Sequence, residues 1–274
     1  MGRVRTTVVA DDAHRVGCEI HGSGDASVTV VFLPALGVPL GYYTPLFDAW
    51  VRRGRQVVGV ENRGQPLSPA TGRFGYSDMI RRDLPAVFGL APVREASRVV
   101  LAGHSMGGAL ALLGTAAQVV TPAAVVTIAT GTSWCAAEFG LWRRARRHAG
   151  TSVVRAVTRG LGYWPGHRMG FAGRQPSTVM RDWAHEAHHG TFRLHGDRYD
   201  YEAALARMST PRLMLGIDGD PLINPRAVAL LARRAGGAER RQIRVDHPGD
   251  DHFRWARHTP GPVIADIDAW LDGK

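Results

Sequence analysis

The junction that most constrains the fold spans residues 98–113. An apolar run, Arg98-Val-Val-Leu-Ala102, passes without a spacer into Gly103-His104-Ser105-Met106-Gly107-Gly108, and from there into Ala109-Leu-Ala-Leu-Leu113. The first run is β-branched and reads as a strand, the last as a helix. Reversing from one to the other at Ser105 demands a sharp, strained turn, and the flanking glycines keep its backbones from colliding. Ser105 Oγ is then presented above the end of a sheet, with a helix N-terminus beneath it to favour developing negative charge.

The rest of the chain supplies such a sheet. Thr6 to Ala10 and Arg15 to Ile20 read as an opening hairpin. Val28 to Leu33, Gln56 to Val60, Arg98 to Ala102, Ala124 to Ala129, Arg212 to Ile217 and Gln242 to Val245 read as further strands. Most are apolar throughout rather than alternating, as a parallel sheet covered on both faces requires. Helical patterns fall between them, at Thr44 to Arg53, Ser77 to Phe88, Met106 to Ala117, Arg226 to Ala235 and Val263 to Leu271. The expected fold class is α/β, a doubly wound and mostly parallel eight-stranded sheet. With 274 residues, 45% hydrophobic and 21% charged, one such domain absorbs the whole chain. From Ser133 to Met208 no strand is expected. The domain reading is therefore a core of 1–132 and 209–274, with 133–208 as a helical lid or cap insertion.

A serine hydroxyl is a weak nucleophile until a base takes its proton, and that base needs an orienting acid. Strand Arg212 to Ile217 runs into Asp218-Gly219-Asp220-Pro221, and the last strand is followed by Asp246-His247-Pro248-Gly249-Asp250-Asp251-His252. Asp220 is preferred over Asp218 because Gly219 and Pro221 shape a turn around it. His252 is preferred over His247 because it immediately precedes the last helix. His104 is read as an elbow residue that packs or hydrogen-bonds nearby. Two backbone donors are needed for an oxyanion. Met106 N–H follows the serine directly. Leu36 N–H, with Ala35 as the alternative, comes from the loop Pro34-Ala-Leu-Gly-Val38. Trp134, Phe139, Trp142, Trp164 and Trp183 are candidate pocket walls, with ordinary packing as the competing reading.

Of the 34 basic residues 33 are arginine, and the formal net charge is +10. Arginine spread along a chain in this way reads as a codon bias, and no nucleic-acid partner is expected. Twelve arginines against six acids in 133–208 carry +6 of that charge, with a cluster at Trp142 to His148 that suits a solvated helix face or an anionic substrate. No apolar stretch reaches bilayer-spanning length, so no membrane partner is expected, and the expected location is cytoplasmic. Cys18 and Cys135 read as small structural residues. His185, His188 and His189 lack an acid or distant ligand, so neither metal nor cofactor is expected.

Together these residues resemble the α/β-hydrolase superfamily, over essentially the whole chain. The resemblance implies Ser105 as nucleophile, Asp220 as acid and His252 as general base, and a sheet of that family's type. Pro34-Ala-Leu-Gly-Val with Tyr42-Tyr43, Gly162-Tyr-Trp-Pro-Gly166 and Arg181-Asp-Trp-Ala184 are similar to a bacterial group of hydrolases without a defined common substrate. Two departures stand out. Pro34-Ala35 replaces a frequent His-Gly, and Glu61-Asn-Arg-Gly-Gln-Pro-Leu-Ser68 departs from D-x-R-G-x-G-x-S, with Pro66 stiffening the loop. The expected activity is serine hydrolysis of a small-molecule carboxylic ester or thioester, anionic and carrier-bound substrates included. The alternatives are acyl transfer or cyclisation, a carboxylate-eliminating lyase, and a non-catalytic ligand-binding protein.

Overall fold

The computed structural model describes residues 2–70, 72–244 and 252–273. Ten strands run in chain order: β1 Arg3–Val9, β2 Arg15–His21, β3 Thr29–Leu33, β4 Gln56–Val60, β5 Val99–His104, β6 Ala124–Ile128, β7 Tyr163–Pro165, β8 Arg174–Pro176, β9 Arg212–Ile217 and β10 Glu239–Ile243. Eight of them form one sheet in the order β1-β2-β4-β3-β5-β6-β9-β10. β1 and β2 pair antiparallel, as do β2 and β4, and every later pairing is parallel. Six helices have nine residues or more: α1 Thr44–Arg52, α2 Met106–Ala116, α3 Leu141–Leu161, α4 Ser177–His189, α5 Pro225–Arg234 and α6 Pro260–Leu271.

The central strands are continuously apolar because each feeds two cores. Val30, Phe32, Val57, Val100, Leu213 and Leu215 join one buried cluster with Phe47 and Trp50 of α1 and Ile264 and Trp270 of α6. Their neighbours Val31, Leu33, Val58, Leu101 and Met214 join the other, with Leu110 and Leu113 of α2 and Leu231 of α5. The two-residue period of a strand thus sorts side chains onto opposite faces, both covered. Every residue of α2 is buried, which is why that helix is apolar all round. Asn224 caps α5, its side chain accepting the Ala227 N–H at 2.9 Å, and Pro225 opens the helix.

Three elements depart from the sequence reading. The helix expected over Ser77 to Phe88 consists of Tyr76–Asp78, a π-helical turn Met79–Asp83 and Leu84–Phe88. Pro85, which has no N–H to donate, sits just past the wide turn. β10 begins three residues earlier than expected and is largely solvent-exposed, because among the described residues it is an edge strand paired only with β9. Its Glu239-Arg-Arg-Gln start therefore lacks the apolar signature. Residues 133–208, expected to hold no strand, contain the antiparallel pair β7–β8, where the Arg174 guanidinium stacks 3.7 Å from the Tyr163 ring centroid. Both cysteines are buried and unpaired, and burial pushes the Cys18 thiol up to about 12.

Candidate active site

β5 ends at His104 and α2 starts at Met106, so one residue makes the reversal. Ser105 makes it at φ 54° and ψ −116°, a region costly for a side-chain-bearing residue. The surrounding backbones can close on it only because three positions lack side chains. A Cβ on Gly103 would fall 2.3 Å from the Gly107 carbonyl carbon, one on Gly107 2.1 Å from Leu33 O, and one on Gly108 2.2 Å from Thr130 Oγ1. Hydrogen bonds hold the strained residue from both sides. Its N–H donates to Ile128 O at 3.0 Å, and Thr130 Oγ1 donates to its carbonyl at 3.1 Å.

Asp220 and His252 converge on this serine. Past β9 the chain turns through Gly219 at φ 76° and buries the Asp220 carboxylate. Asp220 Oδ1 accepts the N–H groups of Leu222 and Ile223 at 2.8 and 3.0 Å, which fixes the carboxylate plane. Its Oδ2 accepts His252 Nδ1–H at 2.7 Å, and Ser105 Oγ lies 2.9 Å from His252 Nε2. The ring is also held from behind, since Trp255 Nε1–H donates to the His252 carbonyl at 3.0 Å. Asp218 is exposed and does not join this chain, its N–H instead extending the sheet to Ile243 O. His247 lies outside the described residues.

Leu36 and Met106, the residues expected to supply the oxyanion donors, line one cavity with Ser105 and His252. Ala35 is occupied: its N–H donates to the Tyr43 hydroxyl at 3.0 Å. Asn62 Nδ2 holds the same loop through the Pro34 carbonyl at 3.2 Å. The Tyr43 hydroxyl is also hydrogen-bonded to His104 Nδ1 at 2.7 Å, deep in the core. Tyr42-Tyr43 enters the sequence reading only as part of a family resemblance, and Tyr43 has no role at the site there, because its partner lies 61 residues away. Burial, and secondarily the nearby His252, holds His104 well below the usual histidine range, so it is neutral.

The cavity measures about 520 Å³ and lies between the sheet and residues 133–192, with the Ser105–His252 pair in its wall. Its lining is mainly apolar and includes Val154, Trp164, Phe171 and Trp183. Trp164 Nε1–H donates to Phe171 O at 2.8 Å, so that wall is internally braced. Three of the expected aromatic walls are elsewhere. Trp134 packs beneath Gly190, whose absent Cβ would meet the indole at 2.8 Å. Phe139 and Trp142 are exposed at the start of α3. The histidines of α4 stack instead of converging, His185 on His189 with ring centroids 4.2 Å apart. Among the described residues no group of three His, Cys, Asp or Glu side chains could hold a metal ion.

Comparison with known proteins agrees with this architecture. The model of the alpha/beta hydrolase family matches residues 21–266. RutD of Variovorax paradoxus (strain S110), provisionally named a carbamate hydrolase, is 29% identical over 118 residues, 42% of this chain and 41% of that protein. The match thus spans about two-fifths of the relative's length. The crystal structure of E-2-(acetamidomethylene)succinate hydrolase aligns with a TM-score of 0.63 at 19% identity, covering 99% of this chain and 100% of that one. A thioesterase domain from the curacin biosynthetic pathway aligns at 0.64 and 13% identity, covering 98% and 100%. At such identities the two structures speak for the fold.

Proposed function

Because this chain belongs to the alpha/beta hydrolase family, we propose that it is a serine hydrolase that cleaves a carboxylic ester or thioester through an acyl-Ser105 intermediate. The observation that carries the reading is the unbroken hydrogen-bond chain from Asp220 through His252 to Ser105 Oγ, opening onto an apolar cavity. Ser105 Oγ attacks the acyl carbon as His252 Nε2 takes its proton. Asp220 keeps the ring in the right tautomer and stabilises the imidazolium. The oxyanion is met by the N–H groups of Leu36 and Met106, the second at the N-terminus of α2. Collapse of the intermediate expels the alcohol or thiol, which leaves with the proton from His252. Water activated by the same base then releases the acid. Residues 133–208 act as the lid, their Trp164 and Trp183 bounding the acyl group within the cavity.

The test is intact-protein mass after treatment with a fluorophosphonate, run beside turnover of short- and long-chain acyl esters and thioesters. The expected result is one adduct on the wild-type chain, none on Ser105→Ala, and loss of turnover in that variant. Turnover that survives Ser105→Ala would overturn the reading.

A further inference from the structure

α3 carries a surface that the proposed chemistry does not use. Over 21 residues, about 30 Å of helix, it has six arginines and no acid. Thr151, Val154 and Thr158 are buried on one side. On the opposite side Trp142, Ala145, Ala149, Val153, Ala156 and Gly160 recur at intervals of three and four residues, which aligns them along one face. That face is open to solvent. Leu141 is 82% exposed, Trp142 79% and Val153 52%, and Phe139 just before the helix is also exposed. Arg146 projects from this face and Arg143 and Arg159 flank it, all three exposed, and no carboxylate among the described residues pairs with them.

Acids elsewhere in the segment cannot neutralise this face, because all six are engaged. Glu138 pairs with Arg147, Asp197 with Arg81 and Glu202 with Arg234. Asp182 accepts backbone amides, Glu186 meets Arg234, and Asp200 caps the Ala203 N–H. A codon bias exchanges lysine for arginine but does not strip a helix of acids. A second copy of the chain would bring arginine against arginine whichever way the helices ran. Bulky apolar tips among unpaired arginines instead match a surface that is apolar within and anionic at its rim.

We propose that α3 is a peripheral docking face for an anionic lipid bilayer, with Trp142, Leu141 and Phe139 entering the interface and Arg143 and Arg146 meeting lipid phosphates. The cavity rim shares this helix. Val153, together with Met169 of the short helix Gly166–Met169, is both exposed and part of the cavity wall, so a docked chain presents the cavity mouth to the bilayer. The proposal departs from the expectation of no membrane partner. No helix among the described residues is long and apolar enough to cross a membrane, but surface docking needs no span.

The experiment is flotation of the full chain with vesicles of phosphatidylcholine alone and of phosphatidylcholine with an equal share of phosphatidylglycerol. Ser105→Ala serves as the reference, so that loss of docking and loss of the proposed chemistry are read separately. Binding to the anionic vesicles only, weakening with added salt, is expected. Each arginine at such a surface contributes about five-fold, so Arg143→Ser with Arg146→Ser should weaken binding about 25-fold. Trp142→Ser should weaken it at unchanged charge. These positions are exposed, and an unchanged melting temperature shows that the variants fold. Failure to float with anionic vesicles, equal binding to both compositions, or binding indifferent to the arginine pair would overturn the proposal. Capture of an acidic protein by this face without vesicle binding would overturn it too.

Discussion

The Tyr43 hydroxyl is hydrogen-bonded to Nδ1 of His104 across 2.7 Å, and the same oxygen accepts the N–H of Ala35. Burial holds His104 well below the usual histidine range, so its ring is neutral and carries a single proton. This single oxygen joins the residue before Ser105 to the residue before Leu36, and so ties the proposed nucleophile to one proposed oxyanion donor. His104 also packs on His252, ring centroids 4.9 Å apart, where a second positive charge would oppose formation of the imidazolium.

Tyr43→Phe should therefore act on the rate. It keeps the ring among Phe32, Phe47 and Tyr42 but strands the Ala35 N–H and His104 Nδ1 without partners. Loosening the donor loop should lower kcat by roughly ten- to a hundredfold with little change in KM. Stranding two buried polar groups should also cost about 1–3 kcal/mol of stability. Steady-state kinetics normalised to fluorophosphonate-titrated sites separates the two effects. A lowered melting temperature with unchanged kcat per titrated site would make Tyr43 a packing residue only.

Asp220→Asn should leave the fold and remove the chemistry. Its Oδ1 can still accept the Leu222 and Ile223 amides, so the turn persists. The amide nitrogen then faces His252 Nδ1 and favours the tautomer with Nε2 protonated, which cannot accept the Ser105 proton. A fall in kcat of about ten-thousandfold is expected, with circular dichroism and melting temperature near wild type. Loss of less than tenfold would mean that another group orients the base.

What the sequence disclosed and what it withheld follow from how locally each feature is encoded. β3, β4, β5, β6 and β9 were readable because a strand buried on both faces is apolar at most positions, polar groups entering mainly at its ends. The elbow was readable because Gly103, Ser105 and Gly107 stand together between an apolar strand and an apolar helix, although the clashes that Gly107 and Gly108 avoid are with the distant Leu33 and Thr130. β10 was misplaced because an edge strand carries polar side chains, and β7–β8 was missed because three-residue strands hold too few positions for a period. The pocket aromatics depended on the rotational phase of elements whose partners are distant. Trp164 and Trp183 turned toward the cavity while Trp142 turned to solvent, and only the packing of α3 on α4 decides between those outcomes. Tyr43 enters only within a resemblance, and its role went unread for the same reason.

Two glycine substitutions should move stability in opposite directions. In Gly107→Ala the new methyl would fall 2.1 Å from Leu33 O and 2.6 Å from its carbonyl carbon, so β3 and α2 must separate. A loss of about 3 kcal/mol or more is expected. Gly150 lies inside α3 with open space where its Cβ would go, so Gly150→Ala should gain about 1 kcal/mol from helix propensity. Urea denaturation of both variants checks the pair, and similar midpoints would refute the close-approach argument for Gly107.

Glu61 should give the folded state a distinct pH dependence. Burial pushes its carboxyl up to about 7 from an ordinary value of 4.5, although it accepts the Leu40 N–H at 2.9 Å. Across that window the folded chain holds the proton more often than the unfolded chain does. The stability contributed by this site is therefore complete below 4.5, declines as pH rises toward 7 and is flat beyond it. Glu61→Gln keeps an acceptor for Leu40 and cannot ionise. It should match wild type at the acidic end and exceed it by roughly 1–3 kcal/mol at the alkaline end. Chemical denaturation of both chains across the window decides the matter. Parallel stability curves would mean that Glu61 ionises as readily in the folded chain as in the unfolded one.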